Sequence, residues 1–343
     1  MNTALIRKRI RNAKMKAEEK QVGRYSATTT ALLYLDGVVY LPICEEMRKR
    51  LDAFKVDGIE DGGMIEYLTR KKKEGRFPVY QTTERPDRAA QAILEGRVVL
   101  LTDNSPEALI FPATLNSLFQ TADDYYRNER IVTFLRLIRY VAAFLALALP
   151  GLYVAAATFH PQLLPGNLIR SMAEARSGVP FPTAAEVLLM ELSFELLREA
   201  GLRMPGPAGN TIGIVGGLIV GQAAVSANLV SPITVTVAAL TALGSFSIPN
   251  EELSEVFRLW KYGILLLGSC FGILGVMLGC FLLLMLMAEQ ESYGIPWLYP
   301  YVGGNLNERA DEKDSMFLAA ARKRKRRPIF AKWGNRIRFH RKS

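Results

Sequence analysis

The apolar positions of this chain follow two patterns. From residue 25 to 125, short apolar runs alternate with helical spacings. β-like runs at 31–35 and 38–41 flank Asp36-Gly37, and residues 79–83 and 97–102 form two more. Residues 45–54, 64–73 and 88–94 have helical spacing. This predicts a small soluble α/β domain. From residue 140 the runs become long and uncharged, at 140–159, 204–250 and 262–287. A bilayer core of ~30 Å needs about 20 apolar helical residues. The first and last runs therefore read as one span each, the first with a kink expected at Pro150-Gly151. The middle run is too long for one crossing and divides at 228–232 into spans at 211–226 and 233–248. The fold class predicted is α+β with a membrane part: the α/β domain, then a polytopic helical domain of about four spans.

Charge then orients these spans. Of 343 residues 50% are hydrophobic and 22% charged, an average that hides where the charges lie. The net charge of +10 comes mostly from the two ends. The tail 305–343 carries thirteen Lys and Arg against four acids, whereas loop 160–210 carries four against five and loop 250–261 two against three. The positive-inside rule places the tail in the cytoplasm and both loops outside. Four spans then return the N-terminal domain to the cytoplasm, in agreement with Arg127, Arg130, Arg136 and Arg139 ahead of the first span. The expected divisions are a basic segment 1–24, the soluble domain 25–128, the membrane domain 129–304 and a basic cytoplasmic tail 305–343. The basic N-terminus has no apolar run behind it, so no cleaved signal is expected. The tail is expected to meet anionic membrane lipid, not nucleic acid.

One segment resists the hydropathy count. Residues 182–203 read as a helix on which Glu191, Glu195 and Glu199 share a face with Arg198, and Glu186 adds a fourth carboxylate. A lone acid in lipid costs ~2.5–3.5 kcal/mol, so this amphipathic acidic helix either lies in the interface or faces a protein or water-filled interior. If it crosses, the count becomes five and the N-terminal domain changes side. Glycine stripes mark two spans: Gly213, Gly217 and Gly221, then Gly268, Gly272, Gly275 and Gly279. Each gives a smooth face for close helix approach, within one subunit or between subunits.

No catalytic or metal site is expected. His160 and His340 lie far apart, and Cys44, Cys270 and Cys280 form no framework. No nucleotide loop or nucleophile elbow is present, and no cofactor is implied. Gly209, Gly213 and Gly216 have no strand before them. Residues 83–87 (Thr-Glu-Arg-Pro-Asp) read as a capping turn ahead of a catalytic Glu84.

Several short motifs carry a resemblance. Pro180-Phe181-Pro182, Leu188-Leu189-Met190-Glu191 and Arg198-Glu199-Ala200-Gly201 resemble the GerA family of spore germination proteins. So do Gly213-Ile214-Val215-Gly216, Gly221-Gln222-Ala223-Ala224-Val225, Leu229-Val230-Ser231-Pro232 and Ser247-Ile248-Pro249. In the soluble part, residues 83–87, Leu94-Glu95-Gly96-Arg97 and Asp123-Asp124-Tyr125-Tyr126 match as well. The resemblance runs from about residue 7 to residue 301. It implies the A subunit of a nutrient germinant receptor in the spore inner membrane, a ring-forming homo-oligomer that conducts ions. A transporter-like B subunit and a lipoprotein C subunit are the implied partners. A SpoVAF-like sister branch shares the pattern. Family members carry a further soluble subdomain before the stretch matching residues 7–23, so this chain is a truncated or a short form, and its tail is unusually basic.

Together these readings make Glu191, Glu195 and Glu199 the candidate cation path, with Gln222 and Ser226 lining its narrow part. The plainer reading is ordinary helix pairing, Glu195 with Arg198 and Glu199 with Arg203. A non-conducting scaffold for other germination proteins is the alternative function.

Overall fold

The computed structural model describes residues 3–71, 74–203, 207–302, 314–320, 323–324, 326–332 and 337, and within 207–226 the side chains of 216, 217 and 219–226. The chain forms two compact units, one of residues 1–138 with 286–343 and one of residues 139–285.

The first unit is built on a five-stranded antiparallel sheet: β1 (Met15–Val22), β2 (Thr28–Leu35), β3 (Gln81–Thr83), β4 (Val98–Thr102) and β5 (Ala108–Phe111), in the order β1-β2-β4-β5-β3. Alternate residues of β2 face opposite ways. Leu32 and Tyr34 join one buried cluster, Ala31, Leu33 and Leu35 the other. Helices α1 (Thr3–Arg9), α2 (Leu41–Ala53), α3 (Gly62–Thr69), α4 (Pro86–Leu94) and α5 (Leu115–Phe119) complete the unit. Ile43, Met47 and Leu51 of α2 and Ile65 of α3 cover the first face, Ala89, Ala92 and Ile93 of α4 and Ile6 of α1 the second. With both faces covered, β4 is buried throughout and reads as a continuous apolar run.

Two expectations change here. Residues 38–41 are not a strand: Val39 makes only an isolated bridge to Ala331, and α2 starts at Leu41 with Pro42 in its first turn. Residues 15–22, expected in a separate basic segment, are β1 of the sheet.

Residues 290–299, after the helical unit, contribute to this unit's core. Gln290 exchanges hydrogen bonds with Phe77, its Oε1 accepting at 3.1 Å and its Nε2 donating at 2.8 Å. Trp297 is fully buried and donates to the Pro78 carbonyl at 2.7 Å. The strands β6 (Glu291–Ser292) and β7 (Ile295–Pro296) form the small hairpin between them. Ile329, Phe330 and Ala331 of the tail are also buried. Most of the tail expected at 305–343 lies outside the described residues.

The second unit is helical. It contains most of α6 (Glu129–Thr158), then α7 (Gly166–Arg176), α8 (Thr183–Arg203), α9 (Pro207–Ser226), α10 (Pro232–Phe246) and most of α11 (Glu251–Glu289). By length and composition α6 and α11 are sufficient to cross a membrane, and α10 is a shorter apolar helix. Both long helices leave large side chains exposed, among them Val141 and Phe144 on α6 and Leu274, Met277 and Phe281 on α11. Apolar exposure on this scale suits lipid or another protein surface, not water.

The span expected at 262–287 is not one straight helix. At Gly272 the backbone takes φ 62° and ψ −143°, joining two helices across a sharp bend. The bend folds α11 back on itself. A Cβ added at Gly279 would come within 2.8 Å of Ile264, and one at Gly275 would clash with the Leu267 carbonyl. In a straight helix Ile264 and Gly279 would be ~22 Å apart. The second glycine stripe therefore closes one helix arm onto the other, and Gly268 also meets Gly151 of α6, its added Cβ lying 3.0 Å from the Gly151 carbonyl oxygen.

Candidate functional site

The acidic helix α8 begins just after Pro182 and packs against α9 and α10. Met190 of α8, Ala224 of α9 and Val230 and Ala238 share one buried cluster; Val187 joins Val154 of α6 and Leu265 of α11 in another. This packing determines where each carboxylate of α8 points.

Glu191 is 2% exposed, and its Oε2 accepts from Lys261 Nζ of α11 at 2.5 Å. One turn on, Glu195 Oε1 accepts from Arg258 Nη1 at 2.7 Å. Arg258 and Lys261 sit three residues apart on the first arm of α11 and so face the same way. Arg198 lies with its guanidinium 5.6 Å from the centre of the Phe246 ring. These five charged groups line a cavity of about 360 Å³ at the face of α8. Two acids against three bases leave the cluster with one formal positive charge. Arg198 Nη1 and Arg258 Nε are buried without an acceptor among the described residues.

Glu199 is exposed and pairs with Arg203 of its own helix at 2.6 Å. Glu186 is buried at the start of α10, where its carboxylate accepts from the Ser231 N–H at 2.9 Å, the Thr234 hydroxyl at 3.1 Å and Arg176 Nε at 3.0 Å. The helix dipole favours an anion at that end. Every carboxylate of α8 therefore has a basic partner.

Gln222 and Ser226 are exposed on α9 and are not brought to the Glu191–Lys261 cluster. The glycines of the first stripe are occupied within the chain: Gly217 faces Phe194 of α8, and Gly221 faces Val235 of α10. The surroundings of Gly213 lie outside the described side chains. Sequence reasoning missed Arg258 and Lys261, and it named Glu186 without its place at the start of α10. The signal was there for the first two, a pair of bases at helical spacing directly before an uncharged run.

In the first unit, residues 83–87 form the turn into α4. Thr83 Oγ1 accepts from the Arg85 N–H at 3.1 Å, and Pro86 opens the helix. Arg85 bridges Asp87 and Asp123, each at 2.8 Å. The Arg85 guanidinium holds the Asp87 carboxyl down to about 2. Among the described residues, no group of three or more His, Cys, Asp or Glu is placed to hold a metal ion.

The family model "Bacillus/Clostridium GerA spore germination protein" matches residues 1–330. The chain is 39% identical over 320 residues to "Uncharacterized membrane protein YfkQ" of Bacillus subtilis, covering 93% of this chain and 62% of that protein. It is 38% identical over 299 residues to "Spore germination protein A1" of the same organism, covering 87% of this chain and again 62% of the relative. The chain thus spans less than two thirds of the length of these relatives. A solved structure, the N-terminal domain of the A subunit of the Bacillus megaterium spore germinant receptor GerK3, matches 33% of this chain and 89% of that chain at 32% identity, with a TM-score of 0.26. On the extent of the family match and these identities, the chain belongs to the GerA family of spore germination proteins.

Proposed function

We propose that this chain is the membrane-embedded A subunit of a germinant receptor, a homo-oligomer that conducts cations across the spore inner membrane once nutrient is sensed. A transporter-like B subunit and a lipoprotein C subunit would be its partners. The observation that carries the reading is the ion-paired layer inside the helical unit, Glu191 with Lys261 and Glu195 with Arg258. Ionisable groups within a membrane bundle are costly and mark ion pathways or relays. In this arrangement each of the two carboxylates is held by a base, which competes with a passing cation. Conduction then requires α8 to part from the first arm of α11, which frees Glu191 and Glu195. Gln222 and Ser226, outward on α9, are available to line a path between copies.

The bend at Gly272 bears on topology. The first unit is formed by chain before and after the helical unit; if it stays on one side of the bilayer, α6 starts and α11 ends on that side. A hairpin at α11 enters and leaves on the same side and adds no net crossing. An even count then follows if α6, α8, α9 and α10 cross and α11 re-enters. On this reading α8 is a span with its charges turned inward, and both chain ends are cytoplasmic.

The test is ion current through the purified oligomer in planar bilayers, together with germination of spores carrying the same variants. Glu191→Gln and Glu195→Gln should alter cation current and slow germination. If both variants leave current and germination unchanged, the assignment fails. The neutralised carboxylates favour one other reading, a scaffold that assembles receptor subunits without conducting. Crosslinked oligomers that pass no ions would support it.

A further inference from the structure

We propose that the first unit holds a site for a small tetrahedral oxyanion, inorganic phosphate being the probe, on the Arg97 guanidinium. Arg97 lies just before β4 and is 1% exposed. Its Nε donates to the Pro112 carbonyl at 2.9 Å and its Nη1 to Gln81 Oε1 at 2.9 Å. Its Nη2 is buried with no acceptor among the described residues. Arg88 of α4 is also buried and reaches the same Gln81 oxygen at 3.4 Å, while its Nε and Nη1 have no acceptor among the described residues. Two buried guanidiniums thus share one neutral oxygen. Arginine stays charged in proteins, and a buried charge is costly unless it is paired and hydrogen-bonded.

A cavity of about 50 Å³ opens beside Arg97, lined also by Glu95, Gln120, Tyr125, Arg324 and Arg326. One water needs roughly 10–15 Å³ measured this way, so the space suits about four waters or one five-atom oxyanion. The nearby acids do not cancel the charge. Asp314 already accepts from Arg136 at 3.0 Å, Arg324 at 3.3 Å and the Tyr125 hydroxyl at 3.1 Å. Glu95 accepts from Gln91 at 3.1 Å and lies near enough to Arg97 to favour its charged form. Lining bases outnumber lining acids by one, and Arg88 behind them adds another. An anion bound through Nη2 would supply the missing acceptor in the fork geometry that guanidinium groups offer to oxyanions.

The site also has a consequence for the tail. Phe330 stacks against Arg97 with its ring centre 5.3 Å from the guanidinium carbon, and Pro328 lines the cavity. Ala331 lies directly against Gly96, where an added Cβ would be 2.7 Å from its Cα. A bound anion would therefore tie residues 326–332 to the sheet.

The experiment is equilibrium dialysis of the full chain in detergent against radiolabelled phosphate at constant ionic strength, with sulfate and chloride as competitors. The expected result is one saturable site per chain that sulfate displaces far better than chloride. Arg97→Gln should abolish it and Arg324→Gln should weaken it several-fold. Phosphate should also slow proteolytic cleavage within 326–332 in the wild type. Absence of saturable binding overturns the proposal, as does binding that both variants leave unchanged. Should Arg97→Gln fail to fold, the wild-type stoichiometry and Arg324→Gln decide.

Discussion

Gly272→Ala puts the fold-back of α11 to the test. At φ 62° and ψ −143° this residue occupies backbone space that only glycine enters freely, and an L side chain there costs about 1–3 kcal/mol. The added methyl would also sit 3.1 Å from His160 Nε2 and from Cβ and Cγ of Phe159. Alanine further favours a continuous helix by about 1 kcal/mol. Together the substitution disfavours the hairpin by about 2–4 kcal/mol, a shift of roughly thirty- to several-hundredfold in the equilibrium. Spin labels at Leu259 and Leu284, both exposed, read the geometry directly. In a straight helix those positions are ~38 Å apart, whereas on facing arms the helix axes are ~8–10 Å apart. Cys270 and Cys280 would be replaced first. Cys44 can stay, because it is buried and its thiol is pushed up to about 12, which leaves almost no thiolate to react. Pulsed EPR should give a short distance in the parent protein and a large long-distance population, or a lower melting temperature, in Gly272→Ala. A parent distance near ~38 Å refutes the hairpin, and identical distances and stability in both proteins refute the role of Gly272.

The post-membrane segment should matter to the first unit: Trp297→Ala empties a fully buried site and should cost about 3–5 kcal/mol, seen as faster proteolysis confined to that unit. The Arg85–Asp87 pair should give a pH signature. Because the folded value of Asp87 lies below that of the unfolded chain, the stabilisation is complete above about pH 4 and is lost as pH falls toward 2. Both groups are partly exposed, so the effect is at most about 1 kcal/mol; Asp87→Asn should lower the melting temperature at pH 6 and not at pH 2. Lys261→Met should destabilise the protein by about 3–5 kcal/mol by leaving Glu191 buried and unpaired, and Glu191→Gln with Lys261→Met should recover most of that loss in thermal unfolding.

The first unit was legible where burial is two-sided. The runs that become β2 and β4 are apolar throughout because helices cover both faces of the sheet, and α4 follows its proline-led turn. β1 was not legible because it is an edge strand with polar side chains (Lys16, Glu18, Glu19, Lys20) between two buried ends, and its pairing with β2 supplies what its composition does not. The run 38–41 misled for a related reason. Val38 and Val39 are buried beside the tail, while Tyr40 and Leu41 stay exposed at the entry into α2, an arrangement that local alternation does not encode.

In the helical unit, hydropathy and charge gave different answers for α8, and pairing explains why. A window average treats Glu191 and Glu195 as two charges exposed to lipid. In the structure they meet Lys261 and Arg258, which lie more than sixty residues later and which the same average assigned to a loop. Each partner alone argues against a membrane location, while the pair buried between helices does not, since the charges neutralise each other and Glu191 is shielded by its neighbours. The acidic helix and the two bases ahead of the uncharged run of α11 are therefore one feature read at two places. The glycine stripe of α11 is a second such case. Spacing alone offers it as a face for another helix, and a single backbone dihedral at Gly272 turns that face onto its own arm.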